Sequence, residues 1–129
     1  MLFDIQTEEL DMPGTAVVRV VGELDVATAP RLRQEAVRLV GTNINRVVLD
    51  LGGIDFIDST GLGVVVGMVK RLRTHGGDLS LIRGEDRVSM VFDITRVSDI
   101  LPLHDSLDAA LAALPPADPS PAESSPGGE

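Results

Sequence analysis

The chain has 129 residues, the usual size of one domain and too few for a second hydrophobic core. It contains no Cys, which excludes disulfides, thiolate metal sites and cysteine nucleophiles. The net charge of −9 and the absence of Trp and Tyr argue against nucleic-acid binding, because that binding depends on clustered cations and often on stacked aromatic rings.

The first ten residues give no sign of a targeting segment. A signal peptide begins with a positively charged region, whereas this segment has no Lys or Arg and contains Asp4, Glu8 and Glu9. No apolar run approaches the roughly 20 residues that a membrane-spanning helix needs. We therefore expect a cytoplasmic protein that neither crosses nor enters a membrane.

Two strands are predicted at the start of the chain. Residues Thr15–Leu24 form a run rich in β-branched side chains, and Met12-Pro13-Gly14 before it is a turn signal. Residues 2–7 lie on the other side of that turn. The pattern therefore predicts that the two segments pair across it.

A helix and a buried strand follow. Thr28 with Pro30 two residues later is typical of a helix start, and apolar residues recur at helical spacing to about Gly41. Residues Arg46–Leu51 form a short apolar run, which is typical of a strand buried on both faces inside a parallel sheet. Gly52-Gly53 predicts that a loop opens directly after it.

The second half of the chain repeats this alternation. A helix is predicted from Ser59 to Gly76-Gly77, where glycines end it, and a strand over Asp78–Arg83. Apolar residues at helical spacing predict two further helices, in residues 88–95 and 107–114. Alternating strands and helices predict an α/β fold with a mixed, mostly parallel sheet of four or five strands and about four helices.

The last segment differs in composition from the rest. Residues 1–114 are predicted to form one domain, whereas residues 115–129 are acidic, rich in Pro, Ser and Gly, and have little apolar surface to bury. Such a segment cannot offset the entropy that folding costs. We expect a disordered tail, with either no task or a partner-binding one.

The most informative stretch runs from Asp50 to Gly63, where a strand ends and a helix begins. Asp58, Ser59 and Thr60 open that helix, and any of them could cap it by accepting a hydrogen bond from a free backbone N–H. Gly61, Gly63 and Gly67 follow. Because Gly costs roughly 1 kcal/mol relative to Ala in a helix interior, the three glycines indicate that a protein, a phosphate or the sheet itself packs on this backbone.

Two rival sites can be weighed from the sequence. A dinucleotide site would use Gly61, Gly63 and Gly67 with Glu85, but its glycines should leave the preceding strand at once, and here they do not. A phosphoacceptor site of the receiver type would use Asp50. It lacks the acidic pair after the first strand and the late Lys, so Asp50 is interpreted as a polar residue at a strand end.

Catalysis and metal binding are not predicted. A nucleophilic Ser59 would need a base, and the only histidines, His75 and His104, follow no recognisable triad order. Both are interpreted as surface or helix-capping residues, and two histidines with scattered carboxylates do not make a metal site. We expect no enzyme activity, no catalytic residues and no cofactor.

A resemblance to a known family rests on two motifs in a fixed order. Gly22-Glu23-Leu24-Asp25 closes a strand before a helix, and Asp58-Ser59-Thr60-Gly61-Leu62-Gly63 opens a later one. Over roughly residues 3–114, the chain resembles the anti-sigma factor antagonists of the STAS domain family. One departure is Arg96, where relatives commonly have Gly; Arg is less suited to a left-handed helix end.

The resemblance implies a function and its residues. It implies a bacterial protein that binds an anti-sigma factor, usually a serine kinase of the ATPase fold, and thereby frees a sigma factor. Ser59 falls on the family's phosphorylation site, and a serine phosphatase is the expected second partner. The partner-binding residues would be the following: Asp25, Asp58, Ser59, Thr60, Gly61, Leu62 and Gly63. Some domains of this family bind nucleotides or other small ligands, which stays an alternative.

The predicted fold supports a common site for these residues. A right-handed crossover from one parallel strand to the next brings Asp25 and the segment 55–59 to the same sheet edge, where ligands of open α/β folds gather. For Asp25, a position facing the kinase and a helix-capping role stay equally open. A phosphate on Ser59 is expected to block a partner docked on Gly61, Leu62 and Gly63.

Overall fold

The structure, a computed structural model, describes residues 2–116. Its strands are β1 (Phe3–Glu9), β2 (Thr15–Leu24), β3 (Arg46–Ile57), β4 (Asp78–Ile82) and β5 (Leu103–His104). Its α-helices are α1 (Ala29–Gly41), α2 (Ser59–Thr74), α3 (Asp86–Ile94) and α4 (Leu107–Ala112), with a short 3₁₀ helix at Val97–Asp99.

The strands form one sheet in the order β1-β2-β3-β4-β5. β1 and β2 are antiparallel, with Phe3 opposite Gly22 and Glu9 opposite Ala16, which confirms the predicted pairing across the turn. All the other neighbours are parallel. The predicted α/β fold with a mixed, mostly parallel sheet is therefore confirmed.

Helices cover the sheet on both faces. Side chains of α1, α2 and α3 pack on one face with Val18, Leu49 and Leu81, and form the main core. On the other face, Val17 and Val48 pack against α4. Each fully buried Val or Leu contributes about 1.5–3 kcal/mol. The alternation of Val48 and Leu49 between the two cores confirms that the start of β3 is buried on both faces.

β3 is longer than predicted, since it continues through Gly52 and Gly53 to Ile57. A Cβ at Gly53 would lie 2.8 Å from the Val20 carbonyl oxygen, so the glycine allows β2 to approach closely. The pairing of β2 with β3 also shifts register in this region. The expected loop at Gly52-Gly53 was wrong, because these glycines belong to a bulged strand. Asp50 consequently lies within β3 and not at its end.

The left-handed residue after α3 is Arg96, with φ of 66°. Arg is less suited than Gly to this conformation, yet the backbone adopts it here. The Arg96 amide donates to the Asp93 carbonyl over 3.1 Å, and its Nε lies 3.0 Å from Asp99 Oδ2. These two contacts hold the end of α3 without a glycine.

Most of the predicted tail lies outside the residues that the structure describes. Residues 117–129 and Met1 are not described, so the expected disorder of residues 115–129 and the domain limit at residue 114 stay predictions. The Pro115 carbonyl accepts a hydrogen bond of 2.8 Å from the buried Arg46. Across residues 2–116, no helix combines the length and the apolar character needed to span a membrane.

Candidate functional site

The start of α2 is fixed by Asp58. Its backbone is extended, and its Oδ1 accepts a hydrogen bond of 2.8 Å from the Gly61 amide, so Asp58 is the N-cap of the helix. Of the three capping candidates, Asp58 therefore fills the role. Its carboxylate also lies where the helix dipole favours negative charge.

The same carboxylate connects α2 to the loop between β2 and α1. Asp58 Oδ2 accepts a hydrogen bond of 3.1 Å from the Val26 amide, and the Asp58 amide donates to the Leu24 carbonyl over 3.2 Å. The loop after β2 and the segment after β3 therefore meet. This confirms that residues near Asp25 and residues 55–59 share one edge of the sheet.

Asp25 holds the turn that leads into α1. Its Oδ1 accepts hydrogen bonds from the amides of Ala27 and Thr28, over 2.9 and 3.1 Å. The N-cap of α1 is Thr28, whose hydroxyl donates to the Glu23 carbonyl over 2.6 Å and does not cap the helix. Asp25 thus organises the turn but is not itself the N-cap. Its role in facing a partner stays a prediction.

Ser59 and Thr60 are the first two residues of α2, and both are exposed. Neither hydroxyl forms a hydrogen bond with another residue of the described segment 2–116. Free backbone N–H groups lie at this end of the helix, which favours an anion there. Ser59 therefore presents an unengaged hydroxyl at a position that tolerates a phosphate.

Gly61 and Leu62 lie inside the structure. A Cβ at Gly61 would be 2.4 Å from the Leu24 carbonyl oxygen and 2.9 Å from Leu24 Cγ, so this glycine lets α2 sit directly on β2. Leu62 is 9% exposed and belongs to the main core. Of the open interpretations for Gly61, packing on the sheet is therefore the one observed. Neither residue offers the free docking surface that the sequence suggested.

Gly63 and Gly67 differ from Gly61, because both are exposed and a Cβ at either would meet no atom within 4 Å. Together with Thr60 they line a groove of about 210 Å³ between α1 and α2. Arg33 of α1 and Arg71 of α2 also line it. The three glycines indicate only that something packs on this backbone; the groove itself depends on how two helices pack and has no motif of its own.

The structure places His75, Asp50 and the acidic side chains as follows, which bears on a catalytic base, a phosphoacceptor site and a metal site. His75 ends α2, and its Nδ1 lies 2.9 Å from the Arg71 carbonyl oxygen. At 1.5 Å per residue, the 16 residues of α2 place it about 24 Å from Ser59. Asp50 Oδ1 accepts from the Gly52 amide over 2.8 Å. Within residues 2–116, no group of three or more His, Asp and Glu side chains is arranged to hold a metal.

A mixed sheet covered on both faces and exposed hydroxyls at a helix start define the class: a small α/β domain with its candidate site at the carboxyl edge of the parallel strands. The chain belongs to the STAS domain family, whose model matches residues 5–110. The resemblance found in the sequence is thereby confirmed.

Relatives with known names support this assignment. The chain is 37% identical over 100 residues to the anti-sigma-B factor antagonist of Bacillus subtilis, covering 76% of this chain and 85% of that protein. It is 33% identical over 91 residues to the protein of the same name from Staphylococcus epidermidis, covering 70% and 84% of the two chains.

A solved structure has a similar fold. An anti-sigma factor antagonist from Mycobacterium paratuberculosis superposes with a TM-score of 0.72 at 29% identity, and the match covers 85% of this chain and 93% of that one. The superposition therefore covers most of both chains.

Proposed function

We propose that this protein is an anti-sigma factor antagonist that binds a serine-kinase anti-sigma factor while unphosphorylated and so releases a sigma factor. Phosphorylation at Ser59 ends the binding. A serine phosphatase restores it. The proposal implies that the protein acts in the cytoplasm, where sigma factors act, and that it has no catalytic role of its own.

One observation carries the proposal: Ser59 is exposed, its hydroxyl is unengaged within the described chain, and it begins a helix whose cap is supplied by the preceding Asp58. A kinase can therefore reach the hydroxyl without disturbing a hydrogen bond of the fold. The similarity to proteins named anti-sigma-B factor antagonist supports the choice of partner.

The proposed switch leaves the fold intact. A phosphate on Ser59 adds about −1.5 to −2 charges at pH 7 and three acceptor oxygens. At the first residue of α2, this charge interacts favourably with the helix dipole, which offsets its repulsion by the neighbouring Asp58 carboxylate, so we expect the helix to stay folded. Binding is lost because the partner must then accommodate a bulky, strongly hydrated anion at the contact surface.

The phosphorylation site is tested by incubating the protein with its cognate kinase and ATP, then locating the phosphate by mass spectrometry. The expected result is one phosphate on Ser59 and none on the Ser59→Ala variant. Thr60→Ala is the matched control for the site, because it removes the neighbouring exposed hydroxyl and should still carry the phosphate on Ser59. A phosphate on Thr60 or elsewhere, or no phosphate, would refute the assignment.

The mechanism is tested separately with Ser59→Asp, which places a negative charge at the same helix position. We expect this variant to unfold at the same urea concentration as the wild type or slightly higher, since an acidic first-turn residue contributes about 0.3–1 kcal/mol. It should nevertheless bind the kinase more weakly than Ser59→Ala does. Loss of binding together with loss of stability would show that the charge acts by unfolding the site.

A further inference from the structure

The groove between α1 and α2 contains cations that the fold leaves uncompensated. The protein is strongly acidic, and six of its arginines form ion pairs in the described chain: Arg19, Arg38, Arg73, Arg83, Arg87 and Arg96. Arg33 and Arg71 form no ion pair with any residue of that part, yet both line the groove. An anionic group entering the groove would meet two available guanidinium groups.

Part of the lining of the groove on α2 is bare backbone, whereas Ala36, Val64 and Met68 contribute apolar side chains. Gly63 and Gly67 lie one turn apart on α2, and a Cβ at either position would contact nothing within 4 Å. The fold itself therefore does not require glycine at these positions, although each glycine costs roughly 1 kcal/mol in helix stability relative to Ala. Their absence of side chains lets a partner segment lie close to α2, between the two arginines.

The groove begins at the proposed switch. Thr60 lines it, and Ser59 precedes Thr60 at the first residue of α2. We propose that this groove receives an acidic segment of the anti-sigma factor, with its carboxylates paired to Arg33 and Arg71. The inference rests on the proposed function and adds the chemistry of the partner's contact surface.

An acidic occupant also accounts for the direction of the switch. A phosphate on Ser59 lies at the end of the groove, where it repels incoming carboxylates. The phosphate also competes with the partner's carboxylates, because its negative charge reduces the positive electrostatic potential around the two arginines. Both effects weaken binding of an acidic segment, and both should decrease as ionic strength rises.

The test compares two double variants with the same change of charge. Arg33→Glu with Arg71→Glu reverses the charge of the groove, whereas Arg83→Glu with Arg87→Glu reverses two exposed arginines outside it. Affinity for the purified cognate anti-sigma kinase is measured by calorimetry at two salt concentrations, after circular dichroism has shown that each variant is folded. The groove variant should bind about 10-fold or more weakly, with a smaller loss at high salt. The control variant should bind within about 2-fold of the wild type.

Equal affinities of the groove variant and the control would overturn the groove assignment. If Ser59→Asp still weakens binding in that case, the proposed function stands and only the acidic occupant is refuted. Tighter binding by the groove variant would show that the partner's segment is basic, which also refutes the inference. If the wild-type protein does not bind the kinase, the proposed function fails, and the inference that rests on it fails as well.

Discussion

Gly61 and Gly63 allow the same substitution to be compared at two positions of one helix. Both lie in the first half of α2, two residues apart, and Gly→Ala adds one methyl group in each case. At Gly61 that methyl would lie 2.4 Å from the backbone carbonyl oxygen of Leu24, and at Gly63 it would meet no atom within 4 Å. The fold therefore predicts opposite effects on stability.

The magnitudes follow from helix propensity and packing. Replacing Gly by Ala in a helix interior stabilises it by roughly 1 kcal/mol, so Gly63→Ala should raise the free energy of unfolding by about that amount. For Gly61→Ala this gain is outweighed by a steric cost of about 2–3 kcal/mol, because the opposing atom belongs to the backbone and cannot rotate away. The expected net loss is about 1–2 kcal/mol.

Urea unfolding followed by circular dichroism measures the difference; fluorescence is unsuitable because the chain has no Trp or Tyr. With a denaturant slope of about 1–3 kcal/mol per molar, the two midpoints should differ by roughly 1 M or more, with Gly63→Ala the more stable. Equal midpoints, or greater stability of Gly61→Ala, would refute the described packing of α2 on β2.

Three further predictions concern single side chains. Asp58→Ala should lower the free energy of unfolding by about 1–2 kcal/mol, measured by urea unfolding, because it removes the cap of α2; an unchanged value would contradict the capping geometry. Ser80 Oγ is buried with no hydrogen-bond partner in the described chain, so Ser80→Ala should be neutral or stabilising, whereas Ser89→Ala should cost about 1 kcal/mol because it removes a hydrogen bond to a backbone carbonyl. The reverse order in unfolding experiments would contradict this. The hydrogen bond from Arg38, followed by that from Thr7, lowers the pKa of Glu35 although burial opposes the shift. This stabilisation is present above the ordinary carboxyl pKa and is lost as pH falls through the lowered one, so Glu35→Gln should flatten the acid side of the stability curve; an unchanged curve would contradict it.

Much of the fold could be predicted because its signals are local. The β-branched run of β2 and the turn before it predict the hairpin, and the apolar start of β3 indicates burial on both faces. The residue types at 58–60 predict that α2 begins here, but they leave three candidates for its cap, and the structure selects Asp58. Helical spacing located all four α-helices of the described chain.

What could not be predicted depends on contacts between distant segments. In sequence, Gly53 is typical of a loop. In the structure it allows the close approach of β2 to a bulged β3. Gly61 and Gly63 are indistinguishable in sequence, yet only the first faces β2. Arg33 carries no motif, and its place in the groove follows from the packing of α1 on α2.

We propose that phosphorylation of Ser59 controls binding to the anti-sigma factor. The most direct test is a calorimetric titration of the cognate anti-sigma kinase with the unphosphorylated protein and with the protein phosphorylated at Ser59. We expect the unphosphorylated form to bind and the phosphorylated form to bind at least about 10-fold more weakly, with both forms equally folded. Equal affinities of the two forms would contradict control of binding by Ser59 phosphorylation.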